Sequence, residues 1–308
     1  MTYISNKLAV LLVLLSFSIS IVAKQKPIIL DPSYQHDKWN TLPKDQIKYF
    51  RAFTSSLDSK DDDNKDGQSE ARGTPEWVSY EIRKFDGECI PTSKRPKWEA
   101  EKKYVTNGTA PKDNSYKYSK EWRKLHPDFY VRGHLQMKMI AARLGENAEA
   151  NTHTFLNAVP QRSKFNGGIW LDLEYITAAW AQRYGKIWVM TGPIYIDNDP
   201  SGYIGEENEF KVAIPDALFK IIVKETENSN SPDVLAFIYP QIAAGYNTKN
   251  YQHERYLTSV DEIEQLTGLN FFTDLSETSQ ALLESELNEE IWNSKKSDFL
   301  RACKKNDT

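Results

Sequence analysis

His134, Asn157, Asn166 and Glu174 follow one another in three short blocks of this 308-residue chain. The blocks are Tyr130-Val131-Arg132-Gly133-His134, Asn157-Ala158-Val159-Pro160-Gln161 and Asn166-Gly167-Gly168-Ile169-Trp170-Leu171-Asp172-Leu173-Glu174. A histidine after a glycine, two asparagines and a glutamate can form a hydrolytic metal site with no cysteine or aspartate ligand. Cutting a phosphodiester at neutral pH requires a base for water, positive charge near the phosphate oxygens and stabilisation of the leaving oxygen. A neutral imidazole supplies the first, because its ordinary pKa near 6.5 leaves most of it unprotonated at pH 7. A hard cation supplies the others. Magnesium keeps several waters and needs few protein oxygens, so one asparagine amide is a sufficient anchor. Each residue alone has a plain alternative: His134 as a structural imidazole, Asn166 as a helix N-cap and Glu174 as a surface charge.

The elements that must position these groups are only partly readable. Phe129 to Gly133 and Phe155 to Val159 read as short strands, and Asn166 opens a helix that Gly185 ends. Ile169, Leu173, Ile176 and Trp180 share one face of that helix. Strand signals recur at Trp77 to Ile82, at Ile187 to Met190 before a Thr191-Gly192-Pro193 turn, at Phe219 to Val223 and at Val234 to Tyr239. The spacing of Ile47, Phe50 and Leu57 predicts a helix over 44–57. Residues 91–120 form a lysine-rich loop suited to a phosphate-binding face. Ser259 with Glu262 three residues on is a capping box for a helix to Leu269. A charged amphipathic helix from Ser276 onward carries Leu282, Leu283, Leu287, Ile291 and Trp292. Short strands around a few helices make an α+β fold.

Lys7 followed by the apolar run Leu8 to Val22 and the small residues before Lys24 reads as a secretory leader over 1–23, too short for a comfortable membrane span. The expected location is secreted or periplasmic, and an uncleaved anchor is the alternative. The hydrophobic content of 40 % supports a substantial core, and the formal charge of −4 disfavours a protein that coats nucleic acid. An enzyme needs only a local basic groove. The two cysteines, Cys89 and Cys303, could form one bridge in an oxidising compartment or remain buried thiols. Asp62, Asn64, Asp66 and Gly67 match positions 1, 3, 5 and 6 of an EF-hand loop, but Gly73 stands where the glutamate at position 12 belongs. The run is either a structural calcium loop or a solvated acidic one.

Together the three blocks resemble the sugar-nonspecific DNA/RNA endonucleases of the ββα-metal (His-Me finger) class. The family pattern reads Asp-Arg-Gly-His, Asn-x-x-Pro-Gln and Asn-x-x-x-Trp-x-x-Leu-Glu. The likeness covers residues 72 to 275, including Pro75 to Tyr80 and Ile214 to Lys220. It implies a ββα-metal fold with a mixed or antiparallel sheet flanked by helices. It divides the chain into the leader, a polar extension over 24–70, an endonuclease domain over 71–275 and a charged helix and tail over 276–308. The implied activity is magnesium-dependent (or manganese-dependent) hydrolysis of DNA and RNA. In that reading His134 is the general base, Asn166 the direct metal ligand, Asn157 a neighbour of the metal-water cluster and Glu174 the residue that orients its waters. Arg95 maps to a phosphate-clamping arginine, and Arg132 either supports the site or serves as an ion-pair partner. Three departures stand out: Val131 replaces the motif aspartate, His153 stands where many relatives have asparagine, and Ala178 where some have an arginine. Arg162, Lys164 or Arg183 would be candidates to replace that charge. Such losses cost about 10- to 100-fold in metal affinity or activity, so a weakened or inactive nuclease-fold protein, with calcium in the acidic loop as an option, is the alternative function. Oligomeric state is not legible.

Overall fold

The computed structural model describes residues 27–39, 41–44, 46–57, 72–105, 110–117, 129–196, 200, 202–227, 231–241 and 251–304. The leader over 1–23, the acidic run with Asp62, Asn64 and Asp66, and the glycosylation sequons at Asn107 and Asn306 lie outside those residues.

The strands in chain order are β1 (Thr41–Leu42), β2 (Gln46–Tyr49), β3 (Thr54–Leu57), β4 (Pro75–Arg83), β5 (Tyr130–His134), β6 (Ala158–Arg162), β7 (Lys186–Ile194), β8 (Tyr203–Ile204), β9 (Val212–Ala213), β10 (Ala217–Lys224), β11 (Asp233–Pro240), β12 (Leu257–Thr258) and β13 (Asn270–Phe271). Seven of them make one antiparallel sheet in the order β12-β11-β10-β7-β4-β3-β2. The helices are α1 (Lys138–Ala141), α2 (Glu146–Asn151), α3 (Ser163–Phe165), α4 (Leu171–Tyr184), α5 (Val260–Thr267) and α6 (Glu277–Glu284). Helix, sheet and helix stack in layers, an α+β architecture with a core on each sheet face.

Alternation along the strands decides which core each side chain enters. Val78, Tyr80, Val189, Leu218 and Ile222 face α4 with Leu173 and Trp180. Trp77, Trp188, Met190, Phe219 and Ile221 face α5 and α6 with Ile263 and Leu283. Both faces are covered, so the central strands read as continuous apolar runs. His253 ties the second half of the chain to this scaffold. Its ring contacts the Tyr239 hydroxyl at 2.8 Å and the Asp172 carboxylate of α4 at 3.0 Å.

Three expectations are corrected. Residues 44–57 form β2 and β3, with Phe50 and Phe53 stacked 4.3 Å apart at the turn, in place of a helix. Thr54, Ser55 and Ser56 are buried consecutively between neighbouring elements, and tertiary pairing outweighs the accidental helical spacing of three apolar residues. Thr191-Gly192-Pro193 is not a turn, because β7 runs through it. Gly192 is required there because a Cβ would lie 2.3 Å from the Glu76 carbonyl oxygen of the adjacent strand. Helix α6 stops at Glu284, so Leu287, Ile291 and Trp292 lie in irregular chain beyond it. Trp292 caps the far end of α4, where its carbonyl accepts the Trp180 indole N–H at 2.8 Å. Of the Ser259 capping box, only the forward half forms: Ser259 Oγ accepts from Glu262 N, while the Glu262 carboxylate takes the Thr258 hydroxyl. Among the described residues no helix is long and apolar enough to cross a membrane.

Candidate active site

The site is a two-stranded ribbon and a helix beside the main sheet. β5 pairs antiparallel with β6, setting Gly133 opposite Val159 and His134 opposite Ala158. The connection between them folds back through α1 and α2. A helical run leaves β6 at once: α3, a kinked stretch over Asn166–Trp170, and α4. Asn166 is therefore no N-cap. Its own backbone is helical, and the run begins three residues earlier. Gly168, at φ −112° and ψ −116°, breaks the spiral just after it.

This arrangement brings His134, Asn166, Glu174 and Arg95 onto one cavity of about 330 Å³, with Lys138 and Tyr175 also in its wall. The His134 ring packs 4.8 Å from Trp98 and 4.9 Å from His153. Its Nε2 is shut off from solvent without a partner, which leaves Nδ1 as the nitrogen available to the cavity. Burial, then the positive neighbourhood of His153, Arg95, Lys138 and Arg132, holds the His134 pKa well below its ordinary 6.5. The imidazole is thus neutral at pH 7, as a base must be.

Asn166 donates its amide N–H to Gln161 Oε1 at 2.5 Å, which fixes the amide and leaves Oδ1 for the cavity. Gln161 is itself fully buried, and its side chain fills the space that a residue-133 Cβ would need, 2.1 Å from Gln161 Cδ. Gly133 is therefore required by close approach: it admits the glutamine that aims the asparagine. Glu174 is not a surface charge. It is 4 % exposed, and burial pushes its carboxyl up to about 7 against the pull of Lys220. One of its oxygens, Oε1, is buried without a partner.

Lys220 is the functional residue that the sequence reading missed. It lies between Leu218 and Ile222 on the α4-facing side of β10, fully buried, with its ammonium 4.2 Å from the centre of the Trp170 ring. Burial lowers its pKa to about 8 while Glu174 opposes that shift. The signal was available, since a lysine stands mid-strand in Phe219-Lys220-Ile221-Ile222-Val223.

Asn157 is not among the residues that line the cavity; its side chain is spent on the backbone beside it. Its Oδ1 accepts Gln136 N at 2.7 Å, and its Nδ2 donates to the carbonyls of Gln136 and Thr152 at 3.0 Å each. The buried amide is used up in clamping both ends of the β5–β6 connection. An Asn157→Ala chain should lose about 3 kcal/mol of stability from the orphaned backbone groups, a fall of roughly 10 °C in melting temperature readable by circular dichroism. A shift of under 2 °C would count against the clamp.

Arg132 ion-pairs with Asp113 and lies 5.5 Å from the Trp98 ring centre, so it braces the Trp98 side of the site. Val131 sits on the opposite face of β5 from His134 by strand alternation; the missing motif aspartate takes no carboxylate from the base's own face. Ala178 is buried, and Arg143 donates to its carbonyl at 3.1 Å. None of the candidate replacements enters the cavity: Arg183 pairs with Asp298, and Arg162 lies over Tyr130. Lys138 is the cation that does, held by Glu149 at 2.5 Å. Cys89 and Cys303 are joined in a disulfide with Cα atoms 4.9 Å apart.

The donor set fits a hard divalent cation. Asn166 offers an aimed carbonyl oxygen and Glu174 an unpartnered carboxylate oxygen, with no soft sulfur in the cavity.

A family profile described as DNA/RNA non-specific endonuclease matches residues 64–278. The chain is 31 % identical over 147 residues to the mitochondrial nuclease EXOG of Homo sapiens, covering 44 % of this chain and 38 % of that protein. It thus spans well under half the length of that relative. Similarity to a nuclease of Serratia marcescens is 29 % over 217 residues, covering 68 % of this chain and 73 % of the other. In fold, the chain matches a solved EndoG/EndoGI complex with a TM-score of 0.58 at 19 % identity, over 77 % of this chain and 89 % of the matched one.

Proposed function

The chain belongs to the DNA/RNA non-specific endonuclease family, and from that premise we propose that it is an exported, magnesium-dependent endonuclease that cuts DNA and RNA. The observation carrying this reading is that His134, Asn166, Glu174 and Arg95 line one cavity. His134 Nδ1 accepts the proton of the attacking water. Asn166 Oδ1 would hold the cation, and Glu174 would take hydrogen bonds from its waters. The exposed Arg95 guanidinium contacts the phosphate oxygens in a charge-assisted fork. When bound, the cation neutralises charge developing on the phosphate and the leaving oxygen. With base, anchor and clamp all present, the missing motif aspartate does not argue for an inactive protein. Export is supported by the apolar run Leu8 to Val22 and by the disulfide, since such bonds persist in oxidising compartments.

Purified protein should degrade plasmid DNA and RNA with magnesium, lose that activity in EDTA and regain it when magnesium or manganese is restored. Intact substrates at high protein concentration with magnesium present would sink the proposal.

A further inference from the structure

The family match ends at residue 278, yet the chain beyond it returns to the site. Residues 301–303 lie along the segment that leads to Arg95. Ile90 N donates to Arg301 O at 2.8 Å, Cys303 N donates to Ile90 O at 2.9 Å, and the Cys89–Cys303 bond closes the pairing. Ala302 thereby lines the catalytic cavity together with Arg95, His134 and Asn166. Cys303 and Lys304 line a second hollow of about 820 Å³ with Ser93 and Lys94. Thr92 borders both hollows, so the two adjoin there.

Arg95 itself makes no hydrogen bond among the described residues, so its aim depends on how its loop is held. Downstream, Glu99 N donates to His153 O at 2.8 Å. In the middle, Ser93 N donates to Glu149 and Ser93 O accepts from Lys138 Nζ at 2.7 Å. Upstream, the tail is the anchor. The groove that it borders carries Lys94 and Lys304 against Glu146 and Glu149, and Lys138 already balances Glu149; Arg143 also lines it, but its guanidinium donates to the Arg83 and Ala178 carbonyls. A surplus of cations beside a hydrolytic site suits the phosphates flanking a scissile bond, where such contacts fix register and carry no sequence information.

We propose that the tethered tail is a substrate-positioning element: the disulfide holds Ala302 and the Arg95 loop in register, so that a polynucleotide strand runs from the catalytic cavity into the groove of Lys94 and Lys304. The proposal rests on the nuclease reading for its substrate. Cys89 and Cys303 act through Arg95 and the groove. Both are half-buried, and Cys303 borders the groove, so a small reductant can reach the bond. Dithiothreitol would deliver two electrons and two protons, leaving two thiols and closing to its own cyclic disulfide.

The test uses the full chain in three forms, oxidised, reduced with dithiothreitol, and Cys89→Ser/Cys303→Ser, with a fluorescently labelled DNA duplex in EDTA. Both open forms should bind about tenfold more weakly, the scale of a mispositioned contact. With magnesium, KM for DNA should rise by a similar factor and by more than kcat falls. A merely structural bridge lowers the melting temperature but leaves affinity alone, so affinities within twofold of the oxidised form, at a temperature where all forms are folded, overturn the proposal. Should the double variant fail to fold, reduced protein and Lys94→Glu, which leaves the bridge closed, carry the test. Lys94→Glu should also weaken binding and flatten its salt dependence, and unchanged binding counts against the groove. A chain that binds DNA in a disulfide-dependent way yet never cuts it refutes the nuclease reading alone. One that cuts DNA with a KM indifferent to the bridge refutes this inference alone.

Discussion

A His134→Ala chain remains folded and cleaves plasmid DNA about 10²- to 10⁴-fold more slowly, the usual contribution of a positioned general base. The loss should appear in kcat, because the phosphate contacts of Arg95 and the metal anchor Asn166 stay in place. Burial holds the parent imidazole's pKa well below 6.5. A rate limited by its protonation therefore keeps its plateau below pH 6.5 and falls only at lower pH. Single-turnover cleavage across pH 5 to 8 reads both effects. A residual rate within threefold of the parent would remove His134 from the mechanism, and with it the base on which the functional reading turns.

The second large effect is expected at Lys220→Met, and its size depends on pH. Glu174 has a folded value of about 7 against its ordinary 4.5, so the folded chain holds a proton that the unfolded chain has released between those limits. The stability from that proton is fully present below 4.5 and is lost as pH rises through 7. Removing the lysine charge raises the folded value further, so the variant keeps losing stability above pH 7, by about 1.4 kcal/mol per pH unit relative to the parent. Lys220 runs the other way. Its own value is lowered from 10.5 to about 8, so burying its charge costs stability at every pH below 8. Methionine relieves that cost. The variant's advantage over the parent should thus be larger at pH 5 than at pH 8, because above about 8 Lys220 itself gives up its proton and no longer holds the Glu174 carboxylate down. Urea melts of metal-free protein at both pH values decide the matter, since curves that stay parallel would disprove the coupling. Activity at pH 7.5 should drop about 10- to 100-fold, as for other supporting groups around a metal, because a protonated Glu174 offers metal-bound water a poorer acceptor. Adding Glu174→Gln should remove the loss between pH 7 and 8 without restoring activity.

How far the site could be read varied with how local its geometry is. His134 and Asn166 were legible because the ribbon and helix carrying them are contiguous in sequence, and each residue type has few chemical uses there. The hydrogen bonds of Asn157 were not legible although its block was recognised. Whether an amide faces a cavity or clamps the backbone depends on the fold-back of residues 135–156, which no spacing rule describes. Lys220 went unassigned because it lies 46 residues past Glu174, on a strand whose lysine is informative only once the α4-facing core is known. The helix expected over 44–57 failed for a related reason: the pairing of β2 and β3 is non-local, and three apolar residues satisfied the helical period by chance.

From residue order alone came the candidate pair His134 and Asn166, the α+β class, a helix ending at Gly185 and the family, because these rest on short-range pattern and on the chemistry of single side chains. Tertiary structure alone decided that Gln161 aims Asn166 across a gap only Gly133 leaves open, that a buried lysine governs Glu174, and that a tail some 200 residues away in sequence borders the cavity. Those three are matters of burial and contact between distant segments. Desolvation and close approach set their energies, and neither exists until the chain has packed.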